Sequence, residues 1–173
     1  MEAEVATRRL DPAELDQLEP LWSALRLHHA AVTPGFGPPR ERSDSWRRRR
    51  KEYERWLAEP GAFALVAERS NEPLGYAMVH PRRGSPTWPL SEPAAELETL
   101  SVLPGERGRG IGSALLDAVQ TELTASGVAA LSLLVVAGND EALGFYERRG
   151  FGTAAIWMRR DDSPYPGSEN AAE

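Results

Sequence analysis

Apolar residues recur at three- and four-residue steps early in the chain: Leu15, Leu18, Leu21, Trp22, Leu25 and His29 line one face of a helix. Asp11 followed by Pro12 supplies its cap and first turn, and Thr33-Pro34 its stop. Val5 to Leu10, just ahead, is short and apolar enough for a strand. A second helix starts near Ser43 to Ser45, carries Trp46, Tyr53, Trp56 and Leu57 on one face, and stops at Pro60-Gly61. Ala62 to Arg69 and Leu74 to His80, around a turn at Ser70-Asn71-Glu72-Pro73, predict an antiparallel hairpin. Residues 81–94 hold four prolines and form a loop long enough to be functional. Ala95 to Leu103 is the next strand, ended by Pro104-Gly105. A glycine-rich turn opens a helix from about Gly110 to Ser126, with Ile111, Ala114, Leu115, Ala118, Val119 and Leu123 as its buried stripe. Ala130 to Val136 is continuously apolar, the pattern of a strand covered on both faces. Asn139 or Asp140 caps a short helix that Gly150 ends, and Phe151 to Arg159 predicts a last strand.

The predicted order is β-α-α-β-β-β-α-β-α-β. It describes a mixed α/β fold in which a helical crossover makes strands four and five parallel. At 173 residues, 41% hydrophobic and 27% charged, one domain over residues 1–160 is expected, followed by a disordered tail over 161–173. No apolar run approaches the ~20 residues that span a bilayer. The acidic Met-Glu-Ala-Glu start lacks the bases and apolar core of a signal peptide, so a cytoplasmic location is expected.

Net charge is −6, which does not favour a nucleic-acid partner. The charge is uneven: residues 40–55 carry eight bases and four acids, a local +4 that leaves −10 elsewhere. Arg47 to Lys51 reads as a solvated helix face. With no cysteine, thiolate nucleophiles and Cys-ligated zinc are excluded, and three histidines without H-E-x-x-H predict no metal site.

The chemistry concentrates between Glu96 and Gly112. Arg107, Gly108, Gly110 and Gly112 lie at the mouth of a helix, where unpaired N–H groups and the positive dipole end attract an anion. Glycines allow close approach, Arg107 and Arg109 add donors, and a pyrophosphate fits. The third glycine of the Rossmann fingerprint and any Gly-Lys-Ser/Thr are missing, so neither dinucleotide nor P-loop patterns apply. Glu96 and Glu98, two apart on a strand, share a face and can raise one another's proton affinity, which suits a base.

These residues resemble the GNAT superfamily of acetyl-CoA-dependent N-acetyltransferases. Its loop Gln/Arg-x-x-Gly-x-Gly/Ala is matched by Arg107-Gly-Arg-Gly110-Ile-Gly112, directly after the strand Leu100-Ser-Val-Leu-Pro104. Asn139, Phe145-Tyr146 and Gly150-Phe151 match its next motif in the same order. The resemblance implies a mostly antiparallel, twisted sheet flanked by helices, with strands four and five splayed. It further implies that the amides of Arg107, Gly108, Arg109, Gly110, Ile111 and Gly112 hold the CoA pyrophosphate. Leu100 and Val102 would pair with pantetheine, Asn139 would contact the same arm, and Tyr146 would act as general acid. Glu96 or Glu98 would be the base, and the cysteine-free chain favours direct attack in a ternary complex. The acceptor would be a small-molecule or exposed protein amine, with Trp22, Arg26, His29, Phe36, Trp46, Tyr53 and Trp88 as possible walls. A non-catalytic acyl-CoA sensor, another acyl-CoA donor and a homodimer are the alternatives left open.

Overall fold

The computed structural model describes residues 4–87 and 92–160, so Trp88 and the tail from Asp161 lie outside the described residues. The chain divides into two compact units: one holds Arg40–Leu134 and the segment before Leu27, the other Leu27–Pro39 and the segment from Val135 onward.

The first unit is built on a five-stranded sheet in the order β1-β2-β3-β4-β5. β1 (Ala6–Arg9), β2 (Phe63–Arg69), β3 (Glu72–Arg82) and β4 (Ala94–Val102) pair antiparallel in sequence, while β5 (Ala130–Leu133) joins β4 in parallel. The β2–β3 turn is tight because Ser70 and Asn71 both take positive φ (51° and 66°), the twist that matches a hairpin.

The predicted first helix divides into a 3-10 segment, Pro12–Leu18, and α1, Glu19–Val32. Pro20 offers no N–H and crowds the carbonyl four residues before it, so the regular helix cannot run continuously through this point. A capping box starts the segment: the Asp11 carboxylate accepts from Ala13 N at 2.8 Å, and Glu14 accepts from Asp11 N at 3.0 Å. α2 (Arg42–Leu57) follows, and its Trp46 and Tyr53 are buried with Leu10, Leu15, Leu18, Leu21, Val66, Tyr76 and Met78 in one core cluster. α3 (Ile111–Ala125) buries Ile111, Leu115, Leu116, Val119 and Leu123; of the expected stripe Ala114 is exposed and Ala118 half-buried, and Leu116 is buried in addition.

The second unit contains the end of α1 and α4 (Asp140–Arg148). The expectations from Ala130 onward are corrected in both units. β5 stops at Leu133 and all four of its residues are half-buried; with only β4 beside it, it is an edge strand, and Leu134 is already exposed. Residues 151–160 form no strand: Ile156, Trp157 and Met158 are exposed, and no ladder partner satisfies their backbone among the described residues.

Candidate active site

β4 alternates half-buried and buried residues from Ala94 to Val102, which places Glu96, Glu98, Leu100 and Val102 at the half-buried positions. The pairing register with β3, not this alternation, is interrupted by a bulge. Val79 pairs with Leu97 while Met78 pairs with Thr99, so Glu98 is the extra residue of β4. The bulge lets consecutive residues reach the same helix: Glu98 Oε1 accepts from Arg49 Nη1 of α2 at 2.7 Å, and Thr99 Oγ1 lies 2.7 Å from the Tyr53 hydroxyl of α2. Glu96, opposite His80 in the register, shares this face with Glu98, as two-residue spacing predicts.

Both oxygens of Glu98 are engaged. His80 Nε2 stands 3.4 Å from Oε2, and His80 Nδ1 donates to the Pro81 carbonyl at 3.0 Å. With Nδ1–H committed to a carbonyl, the Nε2–Oε2 contact is favourable when one of the two carries a proton. The His80 ring also stacks on Trp56 with centroids 4.5 Å apart. Arg49 lies over the Trp22 ring at 4.5 Å. Glu96 has a looser partner, Arg82 Nε at 3.8 Å.

β4 pairs with β5 only from Ala94 to Leu97. Beyond that point the strands part, and the β5-facing edge of residues 98–102 has no ladder partner among the described residues. Its N–H and C=O groups are therefore available to an extended ligand. The chain then runs through a 3-10 turn, Pro104–Glu106, into the glycine loop. Gly108 and Gly110 take φ of 74° and 84°, and a Cβ on either would meet nothing within 4 Å. Positive φ, not crowding, is what requires glycine there, and the open space leaves backbone at the α3 N-terminus accessible to an anion. Arg107 Nε donates to Val102 O at 3.3 Å, which returns the loop to the end of β4. Glu106 accepts from Arg69 at 3.3 and 3.1 Å and lies 3.6 Å from Arg109; the Arg69 hydrogen bonds hold its carboxyl below the usual range.

In the second unit, Asn139 is buried and caps α4, its Oδ1 accepting from Ala142 N at 3.3 Å. Tyr146 sits edge-on between Phe145 and Phe151, with centroids 5.2 and 5.5 Å away. Gly150 explains the motif that follows. At φ 87° it ends α4 with paired bonds, Gly150 N to Glu147 O at 3.0 Å and Phe151 N to Tyr146 O at 3.1 Å. That closure sets Phe151 against Tyr146. Burial pushes the Tyr146 phenol up to about 12, and no described residue accepts from its hydroxyl.

The structure thus gathers Glu96, Glu98, Leu100, Val102 and Arg107 to Gly112 on one strand, loop and helix start, while Asn139 and Tyr146 share α4. Of the expected acceptor walls, Trp46 and Tyr53 belong to the buried core, and the Tyr53 hydroxyl is spent on Thr99 and Tyr76. Trp22 donates to Ser45 Oγ at 3.0 Å, and Arg26 to the Arg40 carbonyl at 2.6 Å. The His29 carbonyl accepts from Thr33, and Phe36 is exposed beneath Arg159. Sequence reasoning missed Arg49, His80 and His28, whose Nε2 lies 3.3 Å from Asn139 Oδ1. Arg49 belonged to a run read as solvated; its place between Trp46 and Tyr53 on the helix was the available signal. Among the described residues no group of His, Asp and Glu could hold a metal ion, and no helix is long and apolar enough to cross a membrane.

The family model for the acetyltransferase (GNAT) family matches residues 25–151. A mycothiol acetyltransferase of Cellulomonas flavigena is 32% identical over 154 residues, covering 88% of this chain and 42% of the relative. A mycothiol acetyltransferase of Streptomyces avermitilis is 34% identical over 105 residues, covering 60% of this chain and 30% of the relative. The chain therefore spans less than half the length of these curated relatives. In fold, it is similar to the solved aminoglycoside N-acetyltransferase AAC(6')-Iy in complex with CoA, with a TM-score of 0.70 at 21% identity over 94% of this chain and 98% of that one. On the match across residues 25–151, this chain belongs to the GNAT acetyltransferase family.

Proposed function

We propose that residues 1–160 form an acetyltransferase domain that moves the acetyl group of acetyl-CoA to a primary amine by direct attack in a ternary complex. The observation that carries this reading is the unpaired β4 edge at residues 98–102 running into the open glycine loop at the start of α3. An extended amide-bearing arm suits the edge, and a pyrophosphate suits the loop amides of Arg107 to Gly112. Asn139 serves the same arm. Bound acetyl-CoA supplies the activated acetyl group and a thiolate leaving group.

An amine with a pKa near 10 is almost wholly protonated at neutral pH, so a base must free it before attack. Glu96 takes that role. Glu98 is held by Arg49 at 2.7 Å with His80 beside it, whereas among the described residues Glu96 meets only Arg82, at 3.8 Å, and keeps lone pairs for the ammonium or an intervening water. Tyr146, whose phenol burial keeps protonated, donates to the departing thiolate. The acceptor is a small-molecule amine: relatives and neighbours named for mycothiol and aminoglycoside acetylation support that class over a protein amine.

The test is acetyl transfer from acetyl-CoA to a panel of small primary amines and diamines, followed as thiol release. The engagement of Glu98 favours a second reading, a CoA-binding sensor without turnover. Calorimetric binding of acetyl-CoA with no transfer to any amine would select it.

A further inference from the structure

Among the described residues of the second unit, Asn139 is the one buried amide side chain, and its partners fix its orientation. As the cap of α4, its Oδ1 accepts from Ala142 N at 3.3 Å. The opposite assignment would turn the NH2 group towards another N–H. The atom facing His28 Nε2 at 3.3 Å is therefore the same oxygen, an acceptor, and Nε2 must carry the hydrogen. The bond exists for the Nε2–H tautomer and for the imidazolium alike. With both acceptor directions of Oδ1 used, the remaining edge is Nδ2, from which no described residue accepts.

A second contact holds the two residues in register. Gly138, at φ 86°, lies so close to the last turn of α1 that an added Cβ would stand 2.4 Å from Val32 O. Val32 is one helical turn beyond His28, on the same side of α1. The turn ahead of α4 thus rests on the end of α1 at Val32, and the cap residue is bonded to that helix through His28. Neither contact is needed to form α4, which has its own cap bond.

We propose that His28 is a positioning residue for acetyl-CoA: its ring N–H locks the Asn139 amide so that Nδ2 is presented as a donor to an amide carbonyl of the pantetheine arm. This rests on the reading of Asn139 given above. Losing the His28 bond leaves Oδ1 with one partner and frees the amide to rotate, so the effect falls on the pantetheine contact and not on the nucleotide end.

Calorimetry on the full chain with two ligands tests this, CoA and adenosine 3′,5′-bisphosphate, which lacks the arm. His28→Ala is expected to weaken CoA by about five- to tenfold, the scale of one hydrogen bond, and leave the bisphosphate unchanged. His28→Gln, whose Nε2–H reaches the same place, is expected to restore CoA affinity. In an Asn139→Ala background the His28→Ala change should have no further effect. Unchanged CoA affinity in His28→Ala, equal weakening of both ligands, or full additivity with Asn139→Ala overturns the proposal. Wild-type protein that binds neither ligand overturns instead the reading of the site on which it rests. Should His28→Ala unfold, His28→Met fills the space without an N–H and carries the same expectations.

Discussion

Arg49 Nη1 donates a 2.7 Å hydrogen bond to Glu98 Oε1, joining α2 to the bulge of β4 across 49 positions of sequence. The guanidinium also lies over Trp22, and both side chains of the pair are mostly shielded from water. Truncating Arg49 therefore strands a partly buried carboxylate. Arg49→Met is expected to destabilise the fold by about 1.5–3 kcal/mol, the range for hydrogen bonds to charged groups. Arg49→Lys should recover little, because an ammonium lacks the planar fork that both stacks and donates. Urea unfolding of the two variants and of Glu98→Gln, combined as a double-mutant cycle, measures the coupling.

The two glutamates of β4 separate by their partners. Glu96→Gln is expected to lower kcat by about 100-fold or more, within the range for general bases, with the acetyl-CoA KM unchanged. Glu98→Gln should act more weakly on kcat and more strongly on stability. Steady-state kinetics with one accepted amine, beside unfolding curves for both variants, checks the division.

Tyr146 carries a sign that pH can read. Burial raises its phenol to about 12, so the folded state favours the neutral form. Its contribution to stability is fully present below the unfolded value near 10 and is lost as pH rises through about 12. Activity should therefore show no loss from Tyr146 ionisation below about pH 10. Tyr146→Phe is expected to slow turnover by about 100-fold or more while leaving acetyl-CoA affinity nearly intact. Unchanged turnover removes Tyr146 from its role.

Gly150 supports Tyr146 through the closure of α4. Gly150→Ala forces a Cβ into the left-handed region and is expected to cost about 1–2 kcal/mol. A thermal melt reads that loss, and a fall in kcat larger than in CoA affinity links it to Tyr146.

Much of this was legible locally. Apolar steps placed α3 and most of its stripe, Asp11-Pro12 placed one helix start and Asn139 or Asp140 another, and the alternation of β4 put Glu96 and Glu98 on one face. The bulge at Glu98 was not legible, because it exists only in the pairing of Val79 with Leu97 and Met78 with Thr99. Arg49 and His28 were missed because their partners lie 49 and 111 residues away; for Arg49 the one local signal was its place between Trp46 and Tyr53 on the helix. The basic run is solvated at Arg47, Arg48 and Lys51, as expected, with Arg47 and Arg48 against Asp44 and Arg50 against Asp16 and Glu54; Arg49 is the member that turns inward. The last strand failed because strand propensity in Ile156 and Trp157 gives no ladder without a neighbour.

Glu14 is one carboxyl of the first unit whose partners give it an acid-side dependence. Its bonds to Arg8 first, and to Asp11 N, lower it from 4.5 to about 2. A depressed carboxyl stabilises the fold above its unfolded value, and the gain is lost as pH falls from 4.5 through about 2. Glu14→Gln should be less stable than wild type at neutral pH, and the gap should narrow between pH 4.5 and about 2 in urea titrations.

The most direct test of the central claim is single-tube mass balance: acetyl-CoA, wild-type protein and a small-molecule amine panel, with CoA and acetylated amine quantified together. Equal amounts of free CoA and N-acetylated product, both strongly reduced in Glu96→Gln and Tyr146→Phe, are the predicted result. Tight acetyl-CoA binding with no acetylated amine, or product formed equally by both variants, would contradict it.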